Sequence, residues 1–322
     1  VPPLLERLGV EMPVVQAGMG GGLSRHELAA AVSEAGGLGT IAVNGGEAIR
    51  RELAAARALT GRPLAVNVLL PFARRDWFEA AAAADVVVTF WGKPRRRAAG
   101  VWVHQCGSVG EAQAAAGVGA DGVILQGVEA GGHVRGGTPA LRLLEEARAK
   151  LPSGYPLLLA GGTAERTDVR RALEAGAEAA VAGTRFLLSE ESRAHALYKE
   201  RLLAAEVTIL TELFGAGWPA PHRVVPNAAT EKALGRRADA SVPLPNRFLN
   251  RLLAPATPYS PASLQARMIR AQRPGGRLLT PAGPTDDGPA TLVDAGALYA
   301  GKTVARIGEV APAAALVRDL GG

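Results

Sequence analysis

Two glycine turns carry the strongest chemical signal in this sequence. Leu-Leu-Leu-Ala-Gly-Gly-Thr (157–163) ends an apolar run at Gly161-Gly162, and Ala-Val-Ala-Gly-Thr-Arg-Phe (180–186) ends the next at Gly183-Thr184. A residue without Cβ lets an oxyanion approach main-chain N–H groups, and a helix start just after it adds a favourable dipole. One Gly-Gly does no more than shape a turn, but two such turns on consecutive units fit a phosphate. A third signal is the loop 126–138, Gln-Gly-Val-Glu-Ala-Gly-Gly-His-Val-Arg-Gly-Gly-Thr, which holds five glycines and sets His133 between Glu129 and Arg135. An imidazole takes up or gives a proton near neutral pH, and loops are where catalytic groups concentrate. His26, His195 and His222 lack such a setting and read as structural. Apolar runs also close on polar groups at Gln16, Asn67, His104-Gln105 and Gln126. Any one of them satisfies a neighbouring backbone group. Four together suggest a polar ring around a heterocycle, because an amide both donates and accepts.

The elements that must position these residues are legible as short apolar runs at 14–17, 38–43, 64–69, 85–90, 101–105, 122–126, 156–160 and 179–183. Near-continuous apolar character is expected of parallel strands covered by helices on the outside. Ala-rich segments lie between them, closing at glycine and in places opening at a capping serine. Eight β/α units in a row predict an α/β fold, a (β/α)₈ TIM barrel. An open dinucleotide-binding sheet is the competitor, but Gly18-Met19-Gly20-Gly21-Gly22 lacks the G-x-G-x-x-G spacing. The gap between strands four and five leaves room for a helix of about two turns. The predicted organisation is a barrel over 1–205, a small helical or irregular appendage over 206–290, and a helical return over 291–322 that packs on the barrel.

Composition narrows the function classes. The 322 residues are 48% hydrophobic and carry net charge +6 with no dense basic stripe beyond Arg95-Arg96-Arg97. Scattered arginine pairs without aromatic platforms predict solvated surfaces and no nucleic-acid partner. The single cysteine, Cys106, excludes an internal disulfide and a cysteine zinc site, and no metal is expected. No apolar run approaches the ~20 residues of a membrane span. The chain therefore reads as cytoplasmic, with no membrane partner and with a homodimer as a compatible assembly.

Several motifs then fall together: Pro-Val-Val-Gln-Ala-Gly-Met (13–19), Asn67, Thr-Phe-Trp-Gly-Lys-Pro (89–94), Val-His-Gln-Cys-Gly-Ser (103–108) and Glu-Ala-Gly-Gly-His (129–133). Ala-Gly-Gly (160–162), Ala-Gly-Thr-Arg-Phe (182–186), Thr-Glu-Leu-Phe-Gly-Ala-Gly-Trp-Pro (211–219) and Ala-Leu-Tyr-Ala-Gly (297–301) join them. Jointly they make essentially the whole chain resemble the nitronate monooxygenase family, also called 2-nitropropane dioxygenase-like. The resemblance implies FMN across the barrel mouth, with Ala17, Gly18 and Met19 beneath or beside the ring. It implies Asn67, Gln105 and Gln126 against the ring or ribityl chain, Gly131 at a close backbone approach, and Gly161, Gly162, Gly183 and Thr184 on the phosphate. It makes His133 the active-site histidine. The implied reaction oxidises a small alkyl nitronate or related anion with O₂ to a carbonyl compound and nitrite.

Three positions depart from the family pattern: Gly18 where proline is frequent, Gln105 where lysine is frequent, and Gln126 where an acid is frequent. They alter charge around the ring and bear on substrate more than on flavin binding. Flavin-dependent enoyl-acyl-carrier-protein reductases share the barrel and the Gly-Gly-His loop, so NAD(P)H-dependent C=C reduction is the second reading. The third is a flavin-free isomerase or lyase that uses the same cradle for a phosphorylated metabolite.

Overall fold

Runs of Val, Leu, Ile and Ala without polar alternation pair as parallel strands because helices cover their outer faces. They are β1 (Val14–Gln16), β2 (Gly39–Ile41), β3 (Leu64–Leu69), β4 (Val86–Phe90), β5 (Val101–Cys106), β6 (Gly122–Gln126), β8 (Leu157–Ala160) and β9 (Ala179–Ala182). A short strand, β7 (Gly132–His133), interrupts the loop after β6. The order β1-β9-β8-β6-β5-β4-β3-β2 is closed by a parallel bridge between Val15 and Leu38, which gives the expected (β/α)₈ barrel. The computed structural model describes residues 3–96, 100–235, 242–255, 257, 260 and 262–322; Arg97 of the basic triplet and the pair Arg236-Arg237 lie outside them. Among the described residues no helix is long and apolar enough to cross a membrane.

Alternate residues of each strand point into the barrel. Val15, Ala65, Val86, Val88, Val103, Ile124, Leu158, Ala160, Ala179 and Val181 form that interior, and Leu4 and Leu5 of the helix Leu4–Leu8 plug its floor. The opposite phase, including Trp102, Cys106, Val123, Leu125 and Leu157, packs against the outer helices. Each fully buried Leu or Val contributes roughly 1.5–3 kcal/mol relative to exposure. The final helix, Ala313–Gly321, packs against His26–Glu34 and Arg166–Glu174 and buries Leu316, Val317 and Leu320 with them, so the chain's end completes the outer ring.

One expectation fails here. Among the described residues no helix joins β4 to β5. Trp91 (φ +66°), Gly92 (φ +152°) and Gly100 (φ +89°) leave the helical region, and Pro94 withholds an N–H. The appendage also adds two strands, β10 (Ile209–Thr211) and β11 (His222–Val224), to the helices Ala228–Leu234, Leu244–Leu253 and Ala262–Arg270. β11 pairs antiparallel with β10 and with β7, placing His222 opposite His133. A three-stranded sheet thus ties residues 209–224 to the loop of His133.

Candidate active site

The two-residue strand period decides which polar strand ends face the barrel mouth. Ala17, Asn67, Gln105, Gln126 and Gly183 each follow an inward-facing residue by two (Val15, Ala65, Val103, Ile124 and Val181) and so form the topmost interior layer, at the strands' C-terminal ends. Gln16 and His104 are out of phase, which removes them from the expected polar ring. The Gln16 carboxamide is fully buried; it accepts the Thr40 N–H at 2.8 Å and donates to the Ala17 carbonyl. His104 Nδ1 lies 2.8 Å from Thr89 Oγ1, which also accepts from Trp102 Nε1 at 2.8 Å. Burial pushes the His104 pKa down to about 4, so it is a neutral core residue.

Of the three amides left in the ring, two are unengaged by the protein. Asn67 is buried, and neither its carboxamide nor that of Gln105 hydrogen-bonds another described residue. Gly18 lies tight against Asn67: a Cβ there would stand 2.5 Å from the Asn67 Cβ as that side chain is placed in this structure. Met19 continues this turn and packs between the barrel's outer core and the cluster around Tyr198. Gln126 is committed differently: its Nε2 donates to the His133 carbonyl at 2.9 Å and its Oε1 accepts the Arg135 N–H at 2.9 Å. It fastens the histidine loop. Arg135 is held in turn by Glu111 at 2.7 Å and lies 5.0 Å over the Trp91 ring.

The glycine turns sit side by side because β8 pairs with β9. Gly161 (φ +115°) and Gly162 (φ +85°) both occupy backbone space that L side chains avoid. Gly183 caps the short helix Thr184–Leu187, and a Cβ on it would meet only Ala17, at 3.7 Å. Thr184 Oγ1 accepts the Gly301 N–H at 2.9 Å. The same return segment crosses Gly131 so closely that a Cβ there would stand 2.6 Å from the Ala300 carbonyl carbon. Gly131, Thr184 and residues 299–301 therefore share one wall.

His133 is the centre of an aromatic cluster. Its ring stacks on Trp218 at 3.8 Å and 21°, with Tyr299 at 5.6 Å, His222 at 5.4 Å and Trp91 at 6.2 Å. Phe72, Phe90 and Phe214 extend the packing, so with only 4 Trp, 4 Tyr and 6 Phe in the chain, six of them meet here. His133 as a residue is half-buried, but its Nε2 is shut off from solvent and has no partner. Trp218 Nε1 and Tyr299 Oη are buried and unpartnered in the same way. Burial, and then the neighbouring His222, hold the His133 pKa well below the ordinary imidazole value. His222 is satisfied by backbone: Nδ1 donates to the Ala220 carbonyl at 2.9 Å and Nε2 accepts the Phe214 N–H at 3.2 Å, with its pKa lowered to about 4 by burial. The structural reading of His222 therefore stands, as does that of His195, whose Nδ1 accepts the Leu197 N–H at the start of Ala196–Leu203.

Trp91, Trp218 and Tyr299 received no individual role from the sequence, although all three lie in quoted motifs. Their scarcity as aromatics was the available signal. One group of possible metal ligands exists among the described residues, His26, Glu27 and Glu52, within 4.8 Å of one another. His26 bonds Glu52 at 2.6 Å, and Arg51 and Arg193 already pair with its two carboxylates.

A buried neutral imidazole, two unpartnered ring donors, free carboxamides and a backbone shaped by positive-φ glycines form a site that can bind a planar group and an anion. The sequence matches nitronate monooxygenase over residues 2–93 and 93–321. It is 33% identical over 317 residues to a nitronate monooxygenase of Pseudomonas aeruginosa, covering 79% of this chain and 82% of that protein. FabK from Thermotoga maritima superposes with TM-score 0.76 at 25% identity, covering 98% of this chain and 94% of the other. A nitroalkane oxidase from Streptomyces ansochromogenes superposes with TM-score 0.73 at 27% identity, covering 98% and 96%. The chain belongs to the nitronate monooxygenase family and is an oxidoreductase of the flavin-dependent kind.

Proposed function

We propose that this oxidoreductase binds FMN and oxidises alkyl nitronates with O₂ to a carbonyl compound and nitrite. The observation that carries the reading is the neutral, unpartnered His133 imidazole, held against Trp218 at the mouth that also bears Gly161-Gly162 and Gly183-Thr184. Asn67 and Gln105 would face the ring or ribityl chain, Ala17 to Met19 would lie beside the ring, and Gly131 would allow close backbone approach. Gly161, Gly162, Gly183 and Thr184 would hold the phosphate. Gln126 would act through the loop, by fixing His133. When bound, FMN supplies the redox chemistry that removes electrons from the nitronate and returns them to O₂.

The protein's own part is placement and proton handling. Trp218 Nε1–H and Tyr299 O–H are donors without protein acceptors, and donors shut off from water bind an anionic oxygen more strongly than exposed ones. A neutral His133 can accept a proton at an unprotonated nitrogen, or donate a hydrogen bond from a protonated one, without charging the pocket first. Stacking on Trp218 keeps water from the imidazole face.

The test is anaerobic mixing of the yellow protein, with its band near ~450 nm expected of a flavin carrier, with propionate 3-nitronate and separately with NADPH. Bleaching by the nitronate and not by NADPH is the expected result. Rapid bleaching by NADPH with no response to nitronate would replace this reading with C=C reduction. A colourless protein that takes up no FMN would end both readings.

A further inference from the structure

The helix Leu244–Leu253 is built inside out. Its buried side carries Asn246 and Asn250, whose Nδ2 groups donate to the Arg277 carbonyl at 3.1 Å and the Glu212 carbonyl at 3.2 Å. Its outer side carries Leu244, Phe248 and Leu252, at 76%, 68% and 60% exposure. Spacing of four residues puts these three in one line. Arg247 and Arg251 run alongside, and the five side chains border one open groove. Scattered single apolar residues on a surface need no explanation, but an ordered row does.

The segment that carries the row is basic. From 241 to 285 the sequence has six arginines, Arg247, Arg251, Arg267, Arg270, Arg273 and Arg277, and no Asp, Glu or Lys. This one stretch carries as much positive charge as the net +6 of the whole chain. A second copy would set like charges against each other. The groove they border is open and the three apolar side chains are largely exposed, which suits a deformable medium better than the closely matched pocket a protein needs for its anchors. Leu and Phe in the apolar layer, with arginines at headgroup level, is how a short basic amphipathic helix lies in a membrane interface.

We infer that the Leu244–Phe248–Leu252 ridge seats this enzyme on an anionic lipid surface. The expectation of no membrane partner rested on the absence of a span, and a helix lying in the interface plane needs none. The buried side of the same helix supports the turn that leads to Trp218, through Asn250 and the Glu212 carbonyl, so the seated face and the aromatic cluster flank one element.

Co-sedimentation of the full chain with phosphatidylcholine vesicles, with and without about 30% phosphatidylglycerol, tests the inference. At low salt the anionic vesicles should retain about tenfold more protein than the neutral ones. The double substitutions Phe248→Glu/Leu252→Glu and Arg247→Gln/Arg251→Gln should each remove most of that binding, while circular dichroism and thermal unfolding stay as in the parent because these side chains are exposed. Three results would overturn it. One is equal binding by parent and both variants. Another is no binding to anionic vesicles, which would leave an acidic protein as the occupant. The last is a dimer in sedimentation velocity that Phe248→Glu/Leu252→Glu dissolves while the parent ignores vesicles.

Discussion

The imidazole of His133 lies face to face on the indole of Trp218, 3.8 Å apart and 21° from parallel, although one belongs to the loop after β6 and the other to the appendage. The site is therefore completed by residues 209–224, and the strand pairing of His133 with His222 holds the two parts in register. The predictions below follow from that relationship and from the glycine turns around it.

Trp218→Phe keeps a ring over His133 and removes the indole N–H. Turnover with a nitronate should fall about tenfold in kcat/KM, as expected for loss of one hydrogen bond to an anionic oxygen, with little change in melting temperature. Trp218→Ala removes the cover itself. Truncating a buried Trp costs about 3–5 kcal/mol of stability, and the exposed imidazole should regain a pKa near its ordinary value. Steady-state kinetics against pH would then show an acid limb that the parent lacks near 6.5.

His133→Asn should leave flavin content unchanged, because neither glycine turn touches that side chain in the proposed arrangement. The rate of anaerobic flavin reduction by nitronate should drop by about 10²–10⁴-fold, the range for loss of one proton-handling group. A variant that reduces at the parent rate would remove His133 from the chemistry.

Gly161→Ala forces a side chain onto a residue at φ +115°, and its Cβ would come within 3.3 Å of the Ala130 nitrogen. Such backbone strain costs on the order of 1–3 kcal/mol. We expect FMN affinity, read by quenching of flavin fluorescence on titration, to weaken roughly tenfold or more. Lys150→Ala, on an exposed surface, is the matched control.

Gly18→Ala places a Cβ 2.5 Å from the Asn67 Cβ, a distance that cannot be kept, so Asn67 must move. Overpacking of this kind costs about 1–3 kcal/mol. Melting temperature should fall, and FMN affinity should fall with it, because Asn67 is one of two rim carboxamides with no protein partner.

Stability should decline on mild acidification. His104 and His222 are neutral in the fold, with pKa values lowered to about 4, and His133 is lowered as well. The unfolded chain takes up these protons near pH 6.5, so it binds more protons than the fold in the interval below that. Stability is then complete above about 6.5 and is lost progressively toward pH 4, by on the order of 3 kcal/mol for each of His104 and His222. Urea midpoints at pH 7.5, 6 and 5 would show the slope; a flat profile across that range would contradict the buried neutral state.

Local chemistry in the sequence was enough to determine the eight apolar strands, the barrel they close into, and the glycine turns at 161–162 and 183–184. Apolar runs, helix breaks and φ-permissive residues act over a few neighbours and can be read from them. It could not determine which polar strand ends face the mouth. A strand that is apolar on both faces carries no phase, so Gln16 and Gln126 looked alike until the barrel turned one outward and the other inward. Nor could it show that Trp218, His222 and Tyr299 meet His133 across 85, 89 and 166 residues. That meeting depends on antiparallel pairing of a two-residue strand with the appendage and on the return segment crossing Gly131. Such contacts between distant parts of the chain leave no periodicity behind, and only the tertiary structure decides them.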